Sequence, residues 1–231
     1  MKTVRLFPNQ NRTAWGIRYF LFQLLVLPYL VAWLNSALSL RLDDAKLNLL
    51  LYTVNFAALV GIFWRFLGAS LRHAVQNIGP VLLAAAIGFL AHQFSSAVVG
   101  AVLLRLNPDF FNVNDANIAS MVRGDLPMWA FATVVLVPPA EELLFRGVLF
   151  GGLYSRSKAA AWVLSVLGFA LIHIIGYVGY YPWDLLLVCA LQYLPAGICF
   201  AAAYLVSGNI LTPILIHSVI NALAMLSMAA I

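Results

Sequence analysis

Charged side chains are the scarcest feature of this sequence. Only 9% of its 231 residues are Asp, Glu, Lys or Arg, and 64% are hydrophobic, whereas roughly a quarter of the residues in a soluble domain are charged. This shortage excludes an ordinary soluble domain and indicates a polytopic membrane protein whose surroundings are the lipid bilayer. The chain also lacks a basic patch interleaved with aromatic residues, so we expect no nucleic-acid partner.

Cysteine is rare as well. Cys189 and Cys199 fall in one predicted span, and along a straight helix they lie too far apart for a disulfide, so we expect both to be small buried hydrophobes. The sequence also lacks an ordinary cleavable signal peptide, because the first apolar run exceeds the usual length and no small-residue cleavage site follows it.

Long apolar runs dominate what is present. About seven of them could cross a hydrocarbon core of about 30 Å, or six to eight, since the third and fourth are long enough to be tilted or broken. They predict an all-α, polytopic transmembrane helical bundle. The runs lie near residues 15–38, 47–68, 78–104, 127–154, 158–178, 183–206 and 210–231.

Positive residues are distributed unevenly between the predicted loops. If the N-terminus is cytoplasmic, more of the Lys and Arg residues fall on cytoplasmic segments than outside, which follows the positive-inside rule. The cytoplasmic set is Lys2, Arg5, Arg12, Arg18, Arg65, Arg72, Arg156 and Lys158. The outer set is Arg41, Lys46, Arg105 and Arg123. Short termini and the lack of organelle signals favour a bacterial inner or plasma membrane.

Two features outside the later spans allow alternative interpretations. His92 and Gln93 form a polar pair at membrane depth, which fits either a functional site or hydrogen bonding between helices. The polar stretch 105–127 fits either a lid that contacts substrate or a plain connecting loop, with a short interfacial helix around Ile118–Val122.

Polar residues concentrate in spans four, five and seven. An ionised side chain at the bilayer centre costs about 2.5–3.5 kcal/mol even on insertion scales, so these residues are not expected without a partner or a task. We expect them to share one polar site. They are Glu141, Glu142 and Arg146 in span four, His173 in span five, and His217 and Asn221 in span seven.

Helix geometry separates the two glutamates. Glu142 and Arg146 are four residues apart and can pair on one face, whereas Glu141 is turned about 100° away from Glu142. Pro138 and Pro139 remove two backbone donors, so we expect a half-helix to start there with both carboxylates in its first turn, where the dipole favours anions. This arrangement leaves Glu141 as the unpaired carboxylate.

The histidines suggest a reaction. His217 and Asn221 project from one helix face, and an imidazole beside an amide is a suitable pair of donors for a developing oxyanion. His173 follows Phe169 on one face of span five. A carboxylate and an imidazole can share a water and remove its proton, which is general-base hydrolysis.

Other hydrolytic chemistries lack their signatures. The sequence contains no HExxH zinc motif, no GxSxG, no Ser or Cys with an obvious base beside it, and no Gly-rich phosphate loop. A metal site is an open alternative, because Glu141, His173 and His217 could supply three ligands of a catalytic zinc.

Three motifs resemble those of a known family. EELLFRG from residue 141, FALIH from residue 169 and HSVIN from residue 217 match EExxxR, FxxxH and HxxxN, in order and in separate spans. With them the chain resembles the CAAX protease and bacteriocin-processing (CPBP, Abi-type) family of intramembrane proteases. Its eukaryotic members are the type II CAAX prenyl endopeptidases, which process Ras-type proteins. The resemblance covers roughly residues 127–225.

The resemblance implies a role for each residue and a division of the chain. It implies that Glu141 and His173 activate the attacking water and that His217 and Asn221 form an oxyanion hole. The supporting residues are Glu142, Arg146 and Phe169. It also implies a metal-free, glutamate-dependent protease without a cofactor. Residues 1–126 would be N-terminal helices and a polar loop, and residues 127–231 the catalytic helical core.

We therefore predict an intramembrane endopeptidase that hydrolyses a peptide bond of a membrane-associated protein or peptide. Two alternatives are kept. The first is a metal-dependent intramembrane protease that uses the same residues. The second is a non-catalytic membrane scaffold or immunity protein.

Overall fold

The computed structural model describes residues 7–230, so Lys2, Arg5 and Ile231 lie outside the described residues. Within that range the chain is helical, with no strand and one isolated bridge between Val178 and Tyr181. The predicted all-α class is confirmed. In chain order the helices are α1 (Gln10–Leu25), α2 (Leu27–Ala37), α3 (Asp44–Gln76), α4 (Ile78–Leu106), α5 (Val113–Gly124), α6 (Leu126–Tyr154), α7 (Lys158–Ile175), α8 (Trp183–Ser207) and α9 (Leu211–Ala229).

Among the described residues, six helices are long and apolar enough to cross a membrane, namely α3, α4, α6, α7, α8 and α9. Helices α1 and α2 add a seventh span if they are counted together, since they meet at a bend of 50°. The predicted polytopic bundle of about seven spans is confirmed. The cytoplasmic position of the N-terminus stays a prediction.

The outer surface of the bundle is apolar. On α4 alone, large exposed side chains include Leu82, Leu83, Ile87, Leu90 and Phe94. Soluble monomers rarely present contiguous apolar patches of this kind. A surface in contact with lipid tails carries no free-energy penalty for exposing apolar side chains. The burial pattern therefore agrees with a chain that is solvated by hydrocarbon.

Helix α5 occupies the polar stretch between α4 and α6, where a shorter helix was predicted. The side chain of Asn112 caps it by accepting from the backbone N–H groups of Asn114 and Asp115. The helix packs against α6, α7, α8 and α9 at one end of the bundle. That position brings its polar first turn to the interior of the bundle.

Helix α6 is continuous through Pro138 and Pro139, so the predicted start of a new half-helix is wrong. The backbone keeps right-handed helical dihedrals and changes its hydrogen-bond spacing instead. π-Helical segments, Ala132–Leu136 and Leu143–Gly151, flank a short α-helical segment, Val137–Glu142. A π-helix bonds five residues back, and the widened turn accommodates the prolines. Glu141 and Glu142 end the short segment, so the helix dipole does not explain their position.

The orientation of the bundle can be tested with two matched serines. Ser39 lies between α2 and α3, and Ser155 lies between α6 and α7. In a variant with Cys189 and Cys199 changed to alanine, Ser39→Cys is expected to react with a membrane-impermeant maleimide in intact cells. Ser155→Cys is expected to react only after lysis. The opposite labelling pattern would place the N-terminus outside.

Candidate active site

One cavity of about 290 Å³ lies inside the bundle at the end covered by α5. Side chains from α1, α3, α5, α6, α7, α8 and α9 line it. Among them are four residues singled out from the sequence: Glu141, His173, His217 and Asn221. The structure therefore brings these four residues into one cavity, as the sequence predicts. Glu142, Arg146 and Phe169 are not among the lining residues.

Glu142 and Arg146 form a completely buried ion pair. Both side chains have no exposed surface, and Arg146 Nη1 donates to Glu142 Oε1 over 3.1 Å. The predicted pairing of these two residues is confirmed. Both residues belong to α6, so the pair itself joins no other helix, and the link to the neighbouring helices comes from the further contacts of each residue.

Two further kinds of contact hold the Arg146 guanidinium. Its Nη2 donates to the backbone carbonyls of Ala196 and Gly197 on α8, each over 3.2 Å. Its Cζ lies 4.4 Å from the ring centre of Phe169 and 5.1 Å from that of Phe200. Cation–π attraction is strongest where water is excluded, so Arg146 joins α6, α7 and α8 behind the cavity.

His217 connects the two glutamates. Its Nδ1 lies 2.9 Å from Glu142 Oε1, and its Nε2 lies 3.9 Å from Glu141 Oε2. Because a carboxylate oxygen can only accept, Nδ1 carries the proton in this contact. The opposite edge of the imidazole therefore faces Glu141, and an Nε2–H donor is present only when the ring carries both protons.

Glu141 differs from Glu142 in its surroundings. Its side chain keeps 22% exposure while that of Glu142 has none. Its Oε2, like Glu142 Oε2, is buried without a hydrogen-bond partner among residues 7–230, but of the two glutamates only Glu141 lines the cavity. No hydrogen bond or ion pair within that range joins Glu141 to His173, although both line the cavity. Because the Glu141 side chain keeps exposed surface, its carboxylate is able to accept from a molecule in the cavity.

His173 is held in one orientation. Its Nδ1 donates to the Phe169 carbonyl over 2.7 Å, one turn earlier in α7. Its ring stacks on Tyr193 with centroids 4.0 Å apart and planes 19° apart. With Nδ1 committed to a carbonyl, the neutral ring offers the lone pair of Nε2 as its remaining polar function.

Asn221 supplies a hydrogen bond that a proline of α6 cannot make. The π-helical pattern places the N–H of Val137 on the carbonyl of Ala132, so the next bond in the series would join residue 138 to Thr133. Pro138 has no N–H to give. Asn221 Nδ2 instead donates to the Thr133 carbonyl over 2.8 Å, which fixes the amide at the edge of the cavity and leaves its second N–H.

Sequence reasoning missed the residues of α5 that reach the cavity. Asn114 and Asp115 line it together with Tyr193 of α8. The Tyr193 hydroxyl donates to Asp115 Oδ1 over 2.9 Å, and Asn114 Nδ2 donates to the same hydroxyl over 3.1 Å. Burial raises the pKa of the Asp115 carboxyl, while the bond from Tyr193 acts to lower it. A polar loop docking on a distant helix gives no signal in the local sequence.

The other polar candidates lie away from the cavity lining. His92 bonds within α4, with Nδ1 3.1 Å from Gln93 Oε1 and Nε2 3.2 Å from Ser96 Oγ, and its ring stacks on Phe200. Both hydrogen bonds stay within α4, so hydrogen bonding between helices, one of the two interpretations of this pair, is not what the described residues form. The functional interpretation gains no support either, since neither residue is in the cavity lining. Cys189 and Cys199 are free thiols.

Among residues 7–230, no three His, Cys, Asp or Glu side chains are grouped so that they could hold a metal ion. Glu141, His173 and His217 share the cavity without forming such a group. The described geometry therefore does not fit the zinc site kept as an alternative.

The comparisons with known proteins bear on this segment of the chain. A family model described as "Type II CAAX prenyl endopeptidase Rce1-like" matches residues 123–223. It confirms the resemblance based on the three motifs and, at the level of the family, supports an intramembrane endopeptidase of the CAAX protease type. Neither the curated proteins nor the solved structures gave a match. The predicted division of the chain after residue 126 stays a prediction.

The buried pair gives a prediction about stability. Arg146→Met leaves the Glu142 carboxylate buried without its cation, so we expect a loss of about 3–5 kcal/mol in the free energy of unfolding. The double variant Glu142→Gln/Arg146→Met should lose less than the sum of the single losses, because the interaction is shared. Denaturant unfolding in detergent micelles measures both, and the exposed Arg72→Met is the matched control. Additive losses would contradict the coupling.

Proposed function

We propose, from the match of residues 123–223 to the Rce1-like family model of type II CAAX prenyl endopeptidases, that this chain hydrolyses a peptide bond within the membrane through water activated by Glu141. One observation carries the proposal. Glu141, whose Oε2 has no hydrogen-bond partner within residues 7–230, lines the cavity that also contains His173, His217 and Asn221.

Glu141 acts as the general base. A water between Glu141 and His173 donates one proton to the carboxylate while its oxygen attacks the carbonyl carbon of the peptide. His173 supports that water through Nε2, because Nδ1 is held by the Phe169 carbonyl. General-base assistance of this kind contributes about 10²–10⁴-fold to a rate.

His217 and Asn221 stabilise the charge that develops on the carbonyl oxygen. Asn221 offers its second amide N–H, since the first is bound to Thr133. His217 offers Nε2–H in its doubly protonated form, with Nδ1–H directed to Glu142. Donors fixed before the reaction are effective because they need no reorganisation in the transition state.

Collapse of the tetrahedral intermediate breaks the carbon–nitrogen bond. The proton that Glu141 took from water is passed to the leaving nitrogen, either directly or through His173 Nε2. The products are a carboxylic acid and an amine, so the water is consumed without any cofactor. Glu142, Arg146 and Phe169 support the site by holding the imidazole of His217 and the faces of α6 and α7.

The size of the cavity limits the substrate. At about 290 Å³ it lies at the small end of ligand sites, which suits a short extended stretch of chain and excludes a folded domain. Because the carboxylate lies inside a membrane bundle, the substrate is a membrane-associated protein or peptide. The family description points first to a lipidated C-terminal Cys-a-a-X peptide.

Substitution of the base tests the proposal. Glu141→Gln keeps the size of the side chain but removes its basicity, so turnover of an internally quenched, farnesylated Cys-a-a-X peptide should fall by about 10²–10⁴-fold. Asp184→Asn, the same chemical change at an exposed residue of α8, should leave turnover unchanged. Retained turnover in Glu141→Gln, with an intact thermal transition, would sink the proposal. Absence of turnover by the unaltered protein on any membrane peptide would favour the scaffold alternative.

Removal of metal ions by a chelator distinguishes the metal-dependent alternative from the metal-free reaction. The purified protein is expected to keep its turnover after exhaustive dialysis against a strong chelator, since the lining residues do not group three metal ligands. Elemental analysis of the same sample gives its zinc content. Loss of turnover that returns on adding stoichiometric zinc would make the metal-dependent reaction the better account.

A further inference from the structure

Two amide side chains on the N-terminal helices reach the same cavity. Gln23 of α1 and Asn55 of α3 line it together with Glu141. Both precede the segment that the family model matches, and neither takes part in the chemistry described above. Their position raises the question of what they bind.

Gln23 presents an acceptor that lacks a donor. Its Oε1 is buried and has no hydrogen-bond partner among the described residues. Buried polar atoms of proteins nearly always have a partner, and the exceptions call for an explanation. An N–H or O–H group placed in the cavity would supply the missing donor.

Asn55 presents the complementary group. Its Oδ1 accepts from the Tyr19 hydroxyl over 2.6 Å, which fixes the plane of the amide. Its Nδ2 makes no hydrogen bond within residues 7–230. The amide therefore offers an oriented donor, held in place by a neighbour on α1.

A peptide group carries one N–H donor and one carbonyl acceptor. An acceptor and a donor that are unpaired among the described residues, on two side chains that line one cavity, are its complement, and they recognise a main chain whatever its side chains are. We propose that Gln23 and Asn55 form a main-chain subsite. In it Gln23 Oε1 accepts from a substrate N–H and Asn55 Nδ2 donates to a substrate carbonyl next to the cleaved bond. This inference rests on the proposed function, because it assumes that a peptide enters the cavity.

Binding to a variant without the catalytic base tests the subsite apart from turnover. A fluorescent, farnesylated Cys-a-a-X peptide is titrated into Glu141→Gln in micelles. A series of analogues replaces each amide near the cleaved bond by an ester, which removes one N–H. One ester is expected to weaken binding about threefold to tenfold, the usual loss for a single hydrogen bond.

The decisive measurement combines this ester with Gln23→Met. Both changes remove the same hydrogen bond, so the ester should cost nothing further in Glu141→Gln/Gln23→Met. Gln23→Glu, which keeps an acceptor, should restore the difference between amide and ester. Tyr19→Phe should weaken binding by releasing Asn55, and Tyr29→Phe at an exposed tyrosine of α2 is its matched control. Thermal transitions of all variants show that the bundle is folded.

The outcomes separate the two proposals. The subsite is overturned if the ester weakens binding by the same factor with and without Gln23→Met, or if no ester weakens binding. Either result counts against it even if Glu141→Gln abolishes turnover. Failure of the peptide to bind at all would overturn it too. The opposite result is also informative. If Glu141→Gln keeps full turnover, and the ester costs no binding in the Gln23→Met background, then the catalytic role of Glu141 is overturned and the subsite stands.

Discussion

A single carboxylate oxygen organises the buried polar structure of this protein. Glu142 Oε1 accepts from Arg146 Nη1 and from His217 Nδ1, so three charged or ionisable groups from α6 and α9 converge in the buried interior. A buried ion without partners is severely destabilising, whereas a paired one is tolerated. The arrangement of α6 against α9 therefore cannot relax independently of this contact. The guanidinium then ties α8 to it through the carbonyls of Ala196 and Gly197.

The consequence for Glu141 is geometric. Its neighbour Glu142 is committed to Arg146 and His217, and the two residues point in different directions from the same turn of α6. Glu141 is thereby left at the cavity with one oxygen unpartnered. The same contact turns the Nε2 edge of His217 toward it. One buried glutamate thus orients the surroundings of the other, which explains why two adjacent carboxylates occur in a chain that has so few.

Much of this was predictable from local patterns, and the rest depended on distant contacts. Apolar runs located the spans because their length matches the bilayer, and the spacing of Glu142 and Arg146 gave their pairing because residues four apart share a helix face. The effect of Pro138 and Pro139 was predicted wrongly. Proline was expected to break α6, but Asn221 on α9 satisfies the Thr133 carbonyl, and the backbone widens into π-helical turns.

The contributions of Asp115, Gln23 and Asn55 escaped sequence reasoning for a related reason. None of them belongs to a motif with the later residues, even though Asp115 lies in the polar stretch 105–127, and their position at the cavity follows from how α1, α3 and α5 dock on the later helices. A sequence motif identifies groups that lie near one another in the chain. Groups that come into contact only after folding, such as Tyr193 and Asp115, have no fixed spacing in the sequence from which their contact could be predicted.

The two halves of the lining suggest a division between chemistry and recognition. The groups proposed to act on the peptide bond come from α6, α7 and α9, inside the segment matched by the family model. The groups that could contact the rest of a substrate come from α1, α3 and α5, largely before it. Under the proposed mechanism reaction chemistry constrains the first set, because the base must hold a water beside one carbonyl group while the oxyanion donors reach the oxygen of that same group. The second set faces only the shape and polarity of a particular substrate, so differences in selectivity between relatives should arise from these earlier helices.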